Sequence, residues 1–353
     1  MNSNNMKSFT ALLSLMIISC VLLGCSTGPS KPDVSKIKVE LVTKRFEKEF
    51  FRLDSSTVEH GLNVLQEKYP DFLNGFIYKI LGLEGIDSSK IKPAIVQFIK
   101  DYRPLYDSSK TLDAEMVQIS KEIEGSLKYV KYYFPKYPLQ TEFITFIGPI
   151  DAFAYGETGG YGEIITPNAL CSGLQLHLGS NSMVYHSEAG AQLYPAYISR
   201  RFSAEYISIN CIKNIIDDVY PPKKQARGLV DIMIEQGKRM YLLDLFMHDA
   251  KEELKLGYTE HQLKQVKENE GFIWNYFTEN NLLYETDPLK IRSYISDGPS
   301  TAEFGEASPG FISLFIGRQI VYAYLKKNPD TNIKSLLSLD ARKILSGSSY
   351  KPK

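Results

Sequence analysis

The sequence lacks an excess of charge of either sign. Its 41 lysine and arginine residues balance its 41 aspartate and glutamate residues, so the formal net charge is zero. Because proteins that bind nucleic acid usually carry a basic stripe, this balance argues against a nucleic-acid partner. Hydrophobic residues make up 43% of the chain, which is ordinary for a globular protein and supplies enough apolar side chains for a core.

Motifs of the common catalytic classes are also missing. None of the five histidines belongs to a His-Glu-x-x-His sequence, with which zinc peptidases bind their metal. No Gly-x-Ser-x-Gly sequence marks a nucleophilic serine, and the glycine-rich segment 156–162 lacks the Gly-Lys-Ser/Thr ending of a phosphate loop. His248 and Glu252 have a spacing that could chelate a metal, but their charged surroundings predict a solvated helix end. The sequence therefore predicts no catalytic residue, no metal site and no cofactor.

The N-terminal region carries an apolar run that begins shortly after Lys7. Residues 9–23 span roughly 15 positions, fewer than the ~20 that cross a bilayer as a helix, so the run fits the apolar part of a signal peptide. It ends in Leu22-Leu23-Gly24-Cys25, which resembles the lipobox of bacterial lipoproteins, where a small residue precedes the cysteine that receives the lipid. We therefore expect residues 1–24 to be a signal peptide and Cys25 to be acylated.

A polar stretch follows the predicted lipid site. Residues 25–36 contain proline and glycine and no core-forming pattern, which predicts a flexible tether. Two or more acyl chains on Cys25 give stable attachment to a membrane. An acidic run just after the lipidated cysteine would resemble a surface-export tag. No such run follows Cys25 closely, which favours a domain that faces the periplasm. We predict a lipid-anchored protein of the cell envelope, at the outer membrane and facing the periplasm.

The remaining residues, 37–353, are predicted to form a single α+β domain. Helical spacing of apolar residues predicts helices across residues 45–135 and again across 195–345, the latter including long helices over 204–220 and 227–245. Between them, residues 140–180 contain three predicted strands, at 142–147, 164–166 and 174–178, with a glycine-rich hairpin turn between the first two. The expected fold is mostly helical with a small antiparallel sheet. Thr259 and Gln262 form a capping-box pattern that predicts the start of a helix over 259–279.

Two cysteines remain in the predicted mature chain. Cys20 is removed with the signal peptide, which leaves Cys171 and Cys211 besides the lipid site. The envelope outside the cytoplasmic membrane permits disulfides, whereas free buried cysteines are also common in large domains. The sequence leaves open whether these two cysteines are bridged.

The C-terminal half resembles a known family in several ordered stretches. These are Glu235-Gln236-Gly237-Lys238-Arg239-Met240-Tyr241-Leu242-Leu243-Asp244, Leu256-Gly257-Tyr258-Thr259-Glu260-His261-Gln262, Asn269-Glu270-Gly271-Phe272-Ile273-Trp274-Asn275-Tyr276-Phe277, Gly298-Pro299-Ser300-Thr301, Ser308-Pro309-Gly310, Phe315-Ile316-Gly317-Arg318-Gln319-Ile320-Val321 and Ser349-Tyr350-Lys351-Pro352. In order and spacing they resemble the gliding-motility lipoprotein GldB family of Bacteroidetes. The N-terminal helical segment carries little of the resemblance.

The resemblance implies a degenerate relative of zinc peptidases with a gluzincin-like fold. By position, Lys213 and Asp217 occupy the slots of the two metal-binding histidines, and Glu235 resembles the third ligand. A protonated lysine cannot bind zinc, so we expect these vestigial metal-site positions to hold an ion pair instead, with Lys213 paired to Asp217 or Glu235.

The resemblance also implies the function. We expect a non-catalytic component of the gliding machinery, tethered to a membrane and bound to other envelope or gliding-machinery proteins. Two alternatives stay open: a metal-dependent, peptidase-like enzyme, and a periplasmic ligand-binding lipoprotein whose candidate surface is the aromatic loop 155–161.

Overall fold

The structure is a computed structural model that describes residues 31–154, 161–222 and 228–353. The predicted signal peptide, Cys25, the first half of the predicted tether and most of the glycine-rich loop lie outside the described residues. The chain from Asp33 to Lys353 forms one unit.

A four-stranded mixed sheet lies between two helical regions. Its strands are β1 (Val42–Arg45), β2 (Glu142–Phe146), β3 (Glu163–Ile165) and β4 (Ala169–Gly173), in the spatial order β1-β2-β4-β3. The pairs β1–β2 and β2–β4 are parallel, and β3–β4 is antiparallel. The prediction of an α+β fold is confirmed. The sheet was predicted to be antiparallel, and this is correct only for the β3–β4 pair. The helical chain between β1 and β2 is long enough for the crossover that a parallel pair requires.

Helices precede and follow the sheet. Those between β1 and β2 are α1 (Phe46–Phe50), α2 (Val58–Lys68), α3 (Leu73–Gly75), α4 (Ser88–Asp101), α5 (Arg103–Ser109) and α6 (Met116–Tyr133), with a π-helical turn at Phe76–Ile80 and a 3₁₀ turn at Lys110–Ala114. Those after β4 are α7 (Met183–His186), α8 (Glu188–Leu193), α9 (Ala196–Ser199), α10 (Glu205–Val219), α11 (Leu229–Phe246), α12 (Glu252–Leu256), α13 (Glu260–Glu268), α14 (Glu270–Glu279), α15 (Pro288–Ile295), α16 (Ser313–Lys327), α17 (Ile333–Ser338) and α18 (Ala341–Ser348). Further 3₁₀ turns lie at Leu174–Leu176, Leu282–Tyr284 and Ala302–Phe304.

Two strand predictions were wrong. The segment 174–178 forms a 3₁₀ turn at Leu174–Leu176, because Gln175 and His177 are buried polar residues rather than the solvent-facing positions of a strand. The strand is the preceding Ala169–Gly173, which is buried throughout and therefore shows no alternation. The predicted hairpin between 142–147 and 164–166 does not form either, since β3 pairs with β4.

The helices predicted over 204–220 and 227–245 are confirmed with shifts of one or two residues at their ends. The capping box at the start of α13 is present, with the Thr259 hydroxyl accepting from the Gln262 backbone N–H at 3.1 Å. The single helix predicted over 259–279 divides at Asn269 into α13 and α14.

Helices α11 and α16 cross with their backbones in close approach. A Cβ atom on Gly317 would lie 1.7 Å from the carbonyl oxygen of Met233, and one on Gly237 would lie 2.2 Å from the carbonyl oxygen of Gly317. Real Cβ atoms essentially never come within 3.0 Å of such an atom. Only glycine therefore fits at these two positions, and the crossing holds the two helices in one register.

A buried charge cluster joins α11, α12 and α16. Asp244 is 3% exposed, its Oδ1 lies 2.8 Å from Lys255 Nζ, and its Oδ2 accepts from Arg318 Nε and from the Tyr322 hydroxyl, each at 2.7 Å. Burial acts to raise the pKa of Asp244, but the charges of Arg318 and Lys255 outweigh it and hold the pKa below its usual range. Arg318 also pairs with Glu252 at 2.5 Å.

Candidate functional site

A cleft between α10 and α11 collects the vestigial positions named from the sequence. Its volume is about 430 Å³, and Lys213 and Asp217 of α10 and Glu235 of α11 all line it. Lys213 and Asp217 lie one turn apart on α10, so both side chains project from the same face. We call this site the basic cleft, after the four cations that line it: Arg200, Arg201, Lys213 and Arg239.

Asp217 is paired across the cleft with α11. Arg239 Nη1 donates to Asp217 Oδ1 at 2.5 Å, and the Arg239 guanidinium lies 5.1 Å from the centre of the Tyr220 ring. Desolvation by the cleft walls raises the pKa of Asp217, while the charges of Arg239 and Lys213 oppose the rise. The net result is a pKa above the usual value for an aspartate, because burial outweighs the two cations.

Glu235 is held by two donors from neighbouring turns. Lys238 Nζ donates to Glu235 Oε1 at 2.8 Å, and the Tyr220 hydroxyl donates to the other carboxylate oxygen. Lys238 is fully buried and also donates to the carbonyl oxygen of Leu339 at 2.7 Å. The sequence prediction paired Lys213 with Asp217 or Glu235, whereas the ion pairs observed join Asp217 to Arg239 and Glu235 to Lys238.

Two consecutive arginines form the opposite wall. Arg201 is 6% exposed and donates to Asp297, and its guanidinium lies 5.7 Å from the centre of the Tyr161 ring. Arg200 Nη2 donates to the carbonyl oxygen of Gly257 at 2.5 Å. Gly257 has φ of +72°, and a Cβ there would lie 3.1 Å from Arg201 Nη1, so glycine suits both the turn and the neighbouring arginine.

The vestigial positions do not fit a zinc ion. Lys213 is a cation without a lone pair to donate at neutral pH, and each carboxylate already accepts from a cation. Within residues 31–154, 161–222 and 228–353, no group of three or more His, Cys, Asp and Glu side chains is placed to hold a metal. The cleft instead combines cations with an apolar wall, which suits an anion that carries an apolar group.

Comparison with known families decides where the chain belongs. The family model described as gliding motility protein GldB matches residues 27–352. The chain belongs to the GldB family. No curated protein and no solved structure matches it significantly. The match covers the N-terminal helices as well as the C-terminal half, where the sequence resemblance was concentrated.

One hydropathy finding accompanies this assignment. Among the residues that the structure describes in this GldB-family chain, no helix is both long and apolar enough to cross a membrane.

The other positions considered from the sequence, the pair His248 and Glu252 and the two cysteines, lie outside the basic cleft and contact other residues. The His248 ring packs edge-on against Tyr129 with 4.9 Å between ring centres, and Glu252 pairs with Arg318 and Lys267. Cys171 and Cys211 are free and buried, and burial raises the pKa of both thiols. A buried thiol with a raised pKa is a poor nucleophile, so neither cysteine is a catalytic candidate.

A buried polar network beside β3 and β4 was missed from the sequence of this GldB-family chain. Glu163 accepts from the Ser172 hydroxyl at 2.9 Å and from Asn210 Nδ2 at 3.0 Å, and its Oε1 lies 2.5 Å from His177 Nε2. His177 Nδ1 must carry a proton, because it lies 3.0 Å from the carbonyl oxygen of Ser203, which can only accept. These groups are buried and bonded to one another, so the network ties the sheet edge to the 3₁₀ turn.

The sequence also missed the arginines of the basic cleft. Arg201 and Asp297 meet although 96 residues separate them. Phe311 also lines the cleft and has φ of +55°, a left-handed conformation that bulky residues rarely adopt. The one local signal was the adjacent pair Arg200-Arg201. Two adjacent arginines do not indicate a site until it is known which distant residues, such as Asp297, the fold places against them.

Proposed function

We propose that this GldB-family protein is a lipid-anchored, non-catalytic component of the gliding machinery that acts by binding other envelope proteins. The observation that carries the proposal is the family match over residues 27–352, which begins just after the lipobox-like Leu22-Leu23-Gly24-Cys25. Membership in a motility family supports a place in the cell envelope among other machinery proteins.

In this proposal the chain has three parts. Residues 1–24 are the signal peptide, 25–36 the tether and 37–353 the working domain. Acyl chains on Cys25 hold the domain at the outer membrane, where it faces the periplasm. The host is a member of the Bacteroidetes, as the resemblance implies.

The non-catalytic part of the proposal rests on the chemistry of the basic cleft. Each vestigial carboxylate is neutralised by its own cation, Asp217 by Arg239 and Glu235 by Lys238. A carboxylate that already accepts from a cation is a poor ligand for a metal. The position of Lys213, Asp217 and Glu235 in one cleft supports descent from a zinc peptidase whose metal site became a set of ion pairs.

The anchor is tested by a pair of cysteine variants. We expect Cys25→Ser to abolish labelling by a clickable palmitate analogue, to release the protein from membranes and to stop gliding in cells that lack the native copy. Cys20→Ser changes a cysteine inside the apolar run and is the matched control, which should keep both the label and gliding. A soluble, unlabelled Cys25→Ser protein that restores full gliding would contradict the proposal.

Partner binding and catalysis need separate measurements. Crosslinking in intact cells, followed by capture of the lipidated protein from solubilised membranes, should recover other envelope proteins with the wild type and far less with Cys25→Ser. Metal analysis of the purified protein distinguishes the enzymatic alternative. Stoichiometric zinc would refute the non-catalytic proposal.

A further inference from the structure

The basic cleft has an apolar wall as well as charged side chains. Its volume of about 430 Å³ lies in the range of ~300–1,000 Å³ that is typical of small-molecule sites. The apolar side chains Ile216, Ile232, Met240, Leu243, Phe311 and Leu314 line it. A purely structural cluster of ion pairs needs no such cavity, whereas a ligand with a charged end and an apolar body needs both kinds of surface.

The charges of the cleft are not fully balanced by its own carboxylates. Among the described residues that line it, four are cations and three are carboxylates (Asp217, Glu235 and Asp297), and Lys238, which pairs with Glu235, is not one of the four. Asp217 and Asp297 are each paired with an arginine, and Glu235 is paired with Lys238. Within the described parts of the chain, Arg200 and Lys213 form no ion pair with a carboxylate.

The two cations without a carboxylate partner lie in a positive environment. The largest influence on Arg200 is burial, followed by the charge of Arg201, and both lower its pKa. Lys213 and Arg201 lie over the same aromatic ring, with 5.6 Å and 5.7 Å between their charged groups and the centre of the Tyr161 ring. An anion placed among these cations would relieve their mutual repulsion and gain charge-assisted hydrogen bonds.

We propose that the basic cleft binds a carboxylate that is attached directly to a bulky apolar group. The carboxylate accepts hydrogen bonds from Arg200 and Lys213, and the apolar group packs against Met240, Leu243 and Leu314. A carboxylate has two oxygens, so each of these two cations can donate to one of them. The inference goes beyond the anchoring role and does not depend on it.

Two sources could supply this chemistry, and two probes separate them. Hexanoate represents a free apolar acid, and N-acetyl-Leu-Leu represents the C-terminus of a polypeptide. Hexylamine and N-acetyl-Leu-Leu-amide are the matched probes without a carboxylate. Titration calorimetry on the full-length lipoprotein in detergent, with empty micelles subtracted, measures each affinity. We expect one or both carboxylates to bind with a dissociation constant below about 1 mM, the amine not to bind, and the amide to bind at least about tenfold more weakly than its acid.

Variants then assign the binding to this cleft. Arg200→Gln and Lys213→Gln should each weaken the affinity for the carboxylate probe by about tenfold or more, because each removes a charged donor. Arg52→Gln removes an exposed arginine on the N-terminal part of the chain and should leave the affinity unchanged. Circular dichroism shows whether each cleft variant is folded. If one variant is misfolded, the other still tests the inference.

Three outcomes would overturn the inference. The first is no binding of either carboxylate at 10 mM, a level about tenfold above the expected dissociation constant. The second is equal affinity for a carboxylate that binds and its matched probe without a carboxylate. The third is an unchanged affinity in both folded cleft variants. None of these results bears on acylation of Cys25 or on gliding, so failure here is distinguishable from failure of the proposed function.

Discussion

The close crossing of α11 and α16 gives a sharp stability prediction. In Gly317→Ala the new Cβ would start 1.7 Å from the Met233 carbonyl oxygen, and it must reach at least 3.0 Å. The obstacle is backbone within a helix, so the two helices must separate by more than 1 Å, since 3.0 − 1.7 = 1.3 Å. Separation opens contacts of Phe315 and Ile316, which are fully buried on α16.

The magnitude follows from two opposing terms. Overpacking a well-packed interior costs about 1–3 kcal/mol and sometimes more, and a backbone obstacle lies at the upper end of that range. Alanine has better helix propensity than glycine by about 1 kcal/mol, which offsets part of the cost. We expect Gly317→Ala to lower the free energy of unfolding by roughly 2 kcal/mol.

Urea unfolding followed by circular dichroism measures the effect. The midpoint should fall while the slope stays near that of the wild type, because the surface exposed on unfolding is unchanged. Gly125→Ala on α6 is the matched control, since nothing lies within 4 Å of its Cβ position. It should stabilise the protein by about 0.5–1 kcal/mol. If both variants change stability by the same amount in the same direction, close approach of the backbones is not what requires glycine at 317.

Two further predictions concern buried groups. Asp244→Asn should destabilise the protein by about 3–5 kcal/mol, because it leaves two buried cations without their counter-charge, whereas the matched change in an exposed ion pair, Asp107→Asn, should cost about 1 kcal/mol or less. Because the folded protein lowers the pKa of Asp244, the advantage of the wild type over Asp244→Asn is complete above the unfolded pKa of ~4 and should decline as the pH falls below it; an unfolding difference that stays constant from pH 7 to pH 3 would contradict this reasoning. Cys171 and Cys211 should react with Ellman's reagent only after denaturation, when two thiols of the domain become available, and rapid labelling of the folded protein would show that they are not buried as described.

The helices after the sheet were the most predictable part of the fold. Apolar residues at helical spacing located α10, predicted over 204–220, and α11, predicted over 227–245, within one or two residues of their ends. This succeeded because each helix buries one continuous face, and that requirement is visible in the sequence itself.

The sheet was less predictable for a physical reason. β4 is buried on both faces, so its side chains do not alternate between apolar and polar. The alternating segment after it folds as a turn whose polar side chains, Gln175 and His177, are buried. Strand pairing could not be predicted either, because paired residues of β1 and β2 are 100 positions apart in the sequence, as Arg45 and Thr145 are.

The candidate site was predictable only in part. The positions Lys213, Asp217 and Glu235 came from the family resemblance, and the fold does bring them to one cleft. The ion-pair partners were not predictable, because Arg239 lies on a different helix from Asp217 and its reach depends on how α10 packs against α11. Asp297 and Phe311 reach the cleft through long-range packing that no local pattern records.

The glycine crossing has a mechanical consequence for the basic cleft. Helix α11 supplies one wall of the cleft and is locked against α16 through Gly237 and Gly317, so it cannot slide or tilt to admit a ligand. Any widening must therefore come from the non-helical segments around Gly257 and Phe311 on the other side. The wall formed by α11 therefore stays fixed, while the segments around Gly257 and Phe311 determine how far the cleft can open.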